Sequence, residues 1–272
     1  MISFKSLKLG LKICITILVF YFFLLEVLSI SNFEVIEKEL KSVNQRFLTL
    51  FLILSLTNAL LFAVRTQLIL NHYNYYPSLL SVYFVTMTRN FFSDLLPAKL
   101  GTLVYIYLLP RFLGTNYKLA TSAFFHLTFL DIFAVGVLVL VLGGFASLTS
   151  KLNLTIYVYL AAVALLLTSI LLIRVLPKFL KFALDKYSFR AHPNLQETLN
   201  LFENLNSSGI FTKLIGLALA QRFVKYFSYW ILFLALVDIY GISSDSNPFF
   251  KAAFAFITAE TFVSMPIFTI GG

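Results

Sequence analysis

Charged side chains are scarce in this chain, and several of them fall inside its apolar stretches: Arg89, Asp94, Asp131, Arg222, Lys225 and Glu260. An ionisable group within hydrocarbon is costly, so each one is a functional candidate by default. Asp131 lies near the middle of the apolar stretch 120–148, and its short side chain cannot reach an interface by snorkelling. Arg222 and Lys225 are three residues apart and share one face of a helix, so an Asp131–Arg222 ion pair is the first contact to expect. The plainer reading is that such charges pair only to fix helix packing. Glu26 and Arg65 lie close to the ends of apolar stretches and read as interfacial.

A second group of residues interrupts two apolar segments, 78–109 and 249–272. Pro97, Lys99 and Gly101 break the first, and Pro266 with Gly271 and Gly272 breaks the second. A helix broken inside a bilayer leaves backbone N–H and C=O groups without partners, which is tolerable only where protein or water surrounds them. The free N-terminal ends of half-helices can hold anionic groups, and a phospholipid headgroup or a lipid-linked phosphate would suit that field, with Lys99 adding a positive charge. These breaks and the six buried charges together make the set of candidate ligand-binding residues.

Catalysis finds no foothold. There is no Ser/His/Asp or Cys/His arrangement, no phosphate-binding loop and no dinucleotide fingerprint. Cys14 is the only cysteine, which excludes a disulfide framework and a CxxC metal site, and His126 has no second histidine near it. No cofactor, metal or enzymatic activity is expected. His126 reads as a hydrogen-bonded packing residue.

The elements that must position these residues are membrane helices. Hydrophobic residues make up 60% of the sequence and charged ones only 12%, about half of what a soluble domain carries. The apolar residues fall in runs close to the roughly 20 residues needed to cross a bilayer, and they are apolar on every face rather than alternating as in a barrel strand. The expected fold is an all-α, polytopic membrane helix bundle in one membrane domain, 1–272. Full spans are expected at 11–30, 47–70, 120–148, 154–176 and 214–239. The net charge of +9 gathers between these runs, where it orients the protein against a membrane and does not indicate nucleic acid.

Topology follows by parity. The basic connection 177–213 reads as a cytoplasmic loop, and Lys5, Lys8 and Lys12 place the N-terminus on the same side, as in a multi-pass protein of the plasma membrane. Segment 78–109 must then enter and leave on one face. It is too short for two crossings, which need about 40 residues, so it is expected to be re-entrant around Pro97. Halves 1–148 and 149–272 each carry two spans and then a broken segment, starting from opposite sides, which is the order of an inverted-topology repeat. The second half is expected to lack a closing span, so that the chain would be part of a longer protein. The aromatic groups Tyr73, Tyr75, Tyr76 and Tyr226, Tyr229, Trp230 read as interfacial belts.

Three stretches carry a family resemblance. They are Phe91-Phe92-Ser93-Asp94-Leu95-Leu96-Pro97-Ala98-Lys99-Leu100-Gly101, then Leu130-Asp131, and finally Met265-Pro266 with Gly271-Gly272. The chain resembles the flippase-like membrane domain of lysylphosphatidylglycerol synthases and of its stand-alone relatives over nearly its whole length. It departs from the family's pattern at Lys99, Thr102 and Tyr105, and at Leu127-Thr128, where the family often has charges. The resemblance implies binding or moving an anionic lipid or lipid-linked saccharide, without the soluble aminoacyl-transfer domain. Two other roles are compatible: a non-catalytic membrane partner of a glycosyltransferase or lipid-modifying enzyme, and a small-solute or ion transporter built around Asp131.

Overall fold

The computed structural model describes residues 43–95, 102–150, 156–186 and 193–240. These residues are helical throughout apart from short turns, and no strand occurs among them. The expected first span, 11–30, lies outside the described residues, as do Pro97, Lys99, Gly101, Glu260, Pro266, Gly271 and Gly272.

Helix α1 (Gln45–His72) covers the expected span 47–70 and extends beyond it. After a turn in which Asn74 takes a left-handed backbone (φ 62°), Ser78 caps α2 (Leu79–Leu95), its hydroxyl accepting the Ser81 N–H at 3.2 Å. Helix α3 (Val104–Leu113) packs against α2, and residues 96–101 between them lie outside the described residues. At 1.5 Å per residue, the 17 residues of α2 reach about 25 Å and the 10 of α3 about 15 Å.

Gly114 ends α3 with φ 69°, a left-handed conformation that favours glycine, and its N–H returns to Pro110 O at 3.2 Å. Asn116 then opens α4 (Tyr117–Ser150), its Oδ1 accepting the Leu119 N–H at 2.6 Å. Helix α5 (Ile156–Ile170) runs through a π-helical turn, Leu171–Val175, into α6 (Leu176–Lys186). Helices α4 and α5 come close at Gly136, where an added Cβ would lie 2.9 Å from Leu166 Cγ. Helix α7 (Pro193–Ser207) docks on α4 and α6, and α8 (Ile210–Tyr240) covers the expected span 214–239. Helix α1 and, within α4, Tyr117–Val141 are each long and apolar enough to cross a bilayer.

Residues 46–234 form one compact unit, and the main core belongs to it. Phe62, Ile69 and Leu70 of α1 meet Tyr105 and Leu109 of α3, Leu119, Leu127 and Leu130 of α4, and Leu214 of α8. Threonines within the apolar helices satisfy their own hydroxyls by donating one turn back, as Thr66 does to Phe62 O and Thr86 to Val82 O.

The connection 177–213 is not the plain loop that its polar composition suggests. Leu199, Phe202 and Leu205 recur at helical spacing and bury one face of α7, while Glu197 and Glu203 of the same helix pair with Lys118 and Lys181. Tyr226 also differs from the belt reading, because it is buried in a second core cluster with Leu138, Val139 and Ala162.

Candidate functional site

The expected Asp131–Arg222 pair is present. Arg222 Nη2 lies 3.0 Å from Asp131 Oδ2 and joins α8 to α4. The other carboxylate oxygen, Oδ1, accepts from Arg65 Nη1 of α1 at 2.6 Å. The same Arg65 nitrogen donates to Gln221 Oε1 at 2.5 Å, and its Nη2 donates to Leu127 O at 3.3 Å. Three helices are thus tied at one polar centre inside the apolar core.

Arg65 corrects the interfacial reading. Its relative exposure is 0%, and α1 continues for two more turns beyond it to His72. Its helix face is the one carrying Ala59, Phe62, Ala63, Thr66 and Ile69, all buried, whereas Leu52, Ile53, Leu56 and Leu60 are exposed. The two alanines, four residues apart, let neighbouring helices come close on the inward face. That pattern was the available signal that Arg65 points inward. Gln221 was missed because an uncharged amide beside an arginine gives no signal of its own.

Arg89 of α2 is held differently. Its guanidinium lies 4.3 Å from the centroid of Phe62 and 5.7 Å from that of Tyr105, and Nη1 donates to Asn90 Oδ1 at 3.2 Å. Arg65 also faces Phe62, at 5.9 Å, so two guanidiniums sit against one ring. Arg89 is within electrostatic range of Asp131, Arg65 and Arg222. No described carboxylate is paired with it, and its Nε is buried without a hydrogen-bond partner among the described residues. Tyr105, against which it rests, is in the first turn of α3, and Leu103 before that turn provides no side-chain cap. The positive N-terminal end of α3 therefore adds to the field of Arg89.

Among the remaining residues singled out in the sequence, Lys225 and His126 make contacts of their own. Asp94 lies in the last turn of α2, with its side chain outside the described residues. Lys225 shares α8 with Arg222, but its Nζ faces the ring of Tyr229 at 5.7 Å. His126 is a packing residue, as expected. It is buried and stacked on Phe202 at 3.7 Å, and its ring nitrogens meet Ser122 O at 3.0 Å and Asn206 Oδ1 at 3.1 Å. Asn206 in turn donates to Ile173 O in the π-helical turn at 2.7 Å. Among the described residues no cluster of His, Cys, Asp and Glu could hold a metal.

The family model for the lysylphosphatidylglycerol synthase TM region matches residues 9–272. The chain belongs to that family. No curated protein and no solved structure matches it. In this member of the lysylphosphatidylglycerol synthase TM-region family, Tyr105, Leu127 and Thr128 are neutral and satisfied internally. Tyr105 is fully buried, with its hydroxyl 2.7 Å from Thr66 Oγ1 and its ring edge-on to Phe62. The carbonyl of Leu127 accepts from Arg65, and Thr128 donates to Phe124 O. Among the described residues the centre still has three guanidiniums and one carboxylate.

Proposed function

We propose that this membrane protein binds, and moves across the bilayer, a lipid with an anionic headgroup, either an anionic phospholipid or a lipid-linked phosphate. The carrying observation is the imbalance of charge at the buried centre among the described residues: one carboxylate, Asp131, between Arg65 and Arg222, with Arg89 beside them resting on aromatic rings. Buried cations in low-dielectric surroundings need an anion, and a phosphate between Arg89 and the N-terminal end of α3 would supply one. Asp131 would then be a positioning residue, orienting Arg65 and Arg222 without touching the headgroup. The protein would do this without chemical conversion, in the plasma membrane and with its N-terminus cytoplasmic. A coupling-ion site at Asp131 is disfavoured, because both of its oxygens are engaged by arginine.

The test is transfer of fluorescent phosphatidylglycerol between leaflets of liposomes holding the full-length protein. Transfer is expected to exceed that in protein-free liposomes and to fall in Arg89→Met. Absence of transfer by wild type, with a transporting relative active in parallel, would contradict translocation and favour the role of membrane partner to a lipid-modifying enzyme.

A further inference from the structure

Helix α5, the π-helical turn and α6 follow one another without a break from Ile156 to Lys186, with 15, 5 and 11 residues in turn. At 1.5 Å per residue they make about 45 Å of helix, whereas bilayer hydrocarbon is about 30 Å thick. The expected span 154–176 ends where α6 begins, so α6 stands at the edge of the hydrocarbon.

Exposed apolar side chains nevertheless continue along the whole length. Leu160, Leu167, Leu171, Val175, Phe179 and Phe182 are all exposed, the two phenylalanines of α6 at 62% and 61%. Side chains four residues apart drift by about 40° per step around an α-helix. The wider i→i+5 turn at Leu171–Val175 takes up part of that drift, so the residues of α5 and α6 share one face. The opposite face of α6 is covered. Ile173 and Pro177 are buried, Asn206 of α7 donates to Ile173 O, and Lys181 pairs with Glu203 of α7.

Arg174 and Lys178 are exposed as well, and neither is paired with a described carboxylate. Each stands one residue before an apolar member of the stripe, Val175 and Phe179, so both cations flank it on the same side, one turn apart. Water would leave the phenylalanines exposed, and hydrocarbon alone would leave two cations without counter-charge. The layer where acyl chains give way to anionic headgroups meets both requirements.

We infer that the outer face of α6 is an interaction surface for the anionic phospholipids of the leaflet into which α5 emerges. Phe179 and Phe182 lie among the upper acyl chains, and Arg174 and Lys178 meet the phosphates. This surface does not rest on the headgroup reading at Arg89.

The test reads tryptophan emission from the full-length protein in dioleoyl phosphatidylcholine liposomes that carry an equal share of brominated phosphatidylglycerol or brominated phosphatidylcholine. Wild-type emission from Trp230, the sole native tryptophan, is the baseline. Phe179→Trp is expected to be quenched by both lipids, with an apparent affinity about fivefold or more higher for phosphatidylglycerol, roughly the effect of one cation near an anionic surface. Adding Arg174→Gln and Lys178→Gln is expected to bring the two lipids within about twofold. Leu160→Trp, exposed about 28 Å away along the helix, is expected to be quenched equally by both. Thermal unfolding confirms that each variant is folded.

Equal quenching of Phe179→Trp by the two lipids, or a preference that survives loss of both cations, would overturn the assignment. Quenching by aqueous iodide in place of brominated lipid would overturn it too, and would mark a face for a soluble partner. The preference is expected to persist in Arg89→Met. Its loss there would assign the effect to the buried centre and overturn the surface site.

Discussion

The described residues carry two sets of ion pairs, and these differ in how their charges balance. On the side of α7, Lys118 meets Glu197 and Lys181 meets Glu203, one cation to one carboxylate, with every partner more than a quarter exposed. In the core, Asp131 is 14% exposed and meets both Arg65 and Arg222, with Arg89 nearby on Phe62 and Tyr105. The outer pairs are complete as they stand and serve docking. The inner cluster, among the described residues, concentrates positive charge where it is most expensive, and on that imbalance the proposed anion site rests.

The sharpest way to break this comparison is to remove the Asp131 carboxylate. Asp131→Asn leaves Arg65 and Arg222 facing each other in the core and should cost about 3–5 kcal/mol, measured by thermal unfolding in detergent. Gln221→Leu takes from Arg65 one of its acceptors and should cost about 1–3 kcal/mol by the same measurement. On the α7 side, Tyr73 is half-buried and donates to Leu201 O, so Tyr73→Phe should cost about 1 kcal/mol. Burial pushes the Tyr73 hydroxyl up to about 12 from its ordinary 10.0. Its raised value means that its contribution is complete below pH 10 and is lost as the pH rises towards 12, and the phenylalanine variant should lack that part of the pH dependence. The smallest effects belong to Lys118→Ala and Lys181→Ala, each below about 1 kcal/mol and shrinking further as salt is raised. Outer variants that cost as much as Asp131→Asn would erase the distinction between the two regions.

Much of the inner region was legible from residue types alone. A carboxylate too short to snorkel, placed mid-span, and an arginine inside another apolar run were enough to pair Asp131 with Arg222. Pro97, which the sequence singles out as a helix breaker, falls between α2 and α3 in a stretch outside the described residues. Arg65 was hidden by its nearness to the expected span end. Its direction is set by helix phase and by α1 extending to His72, and the small residues on its face carried that information more clearly than its position along the run.

The α7 region was less legible for the opposite reason. Its polar composition resembles a loop, and only the Leu199, Phe202, Leu205 spacing shows that one face must be buried. Asn206, which joins His126 to the π-helical turn, could not be foreseen, since that contact spans 80 residues of sequence.

Arg89 tests the central claim most directly, because it carries charge at the inner cluster without a described carboxylate that its removal would strand. The measurement is paired: thermal stability, and binding of dioleoyl phosphatidylglycerol relative to dioleoyl phosphatidylcholine, in wild type and Arg89→Met. A cation kept to receive a headgroup predicts stability unchanged or raised, as repulsion from Arg65 and Arg222 is relieved, together with a loss of about tenfold or more in preference for the anionic lipid. Stability that falls by several kcal/mol with the lipid preference intact would make Arg89 a structural residue and contradict the account.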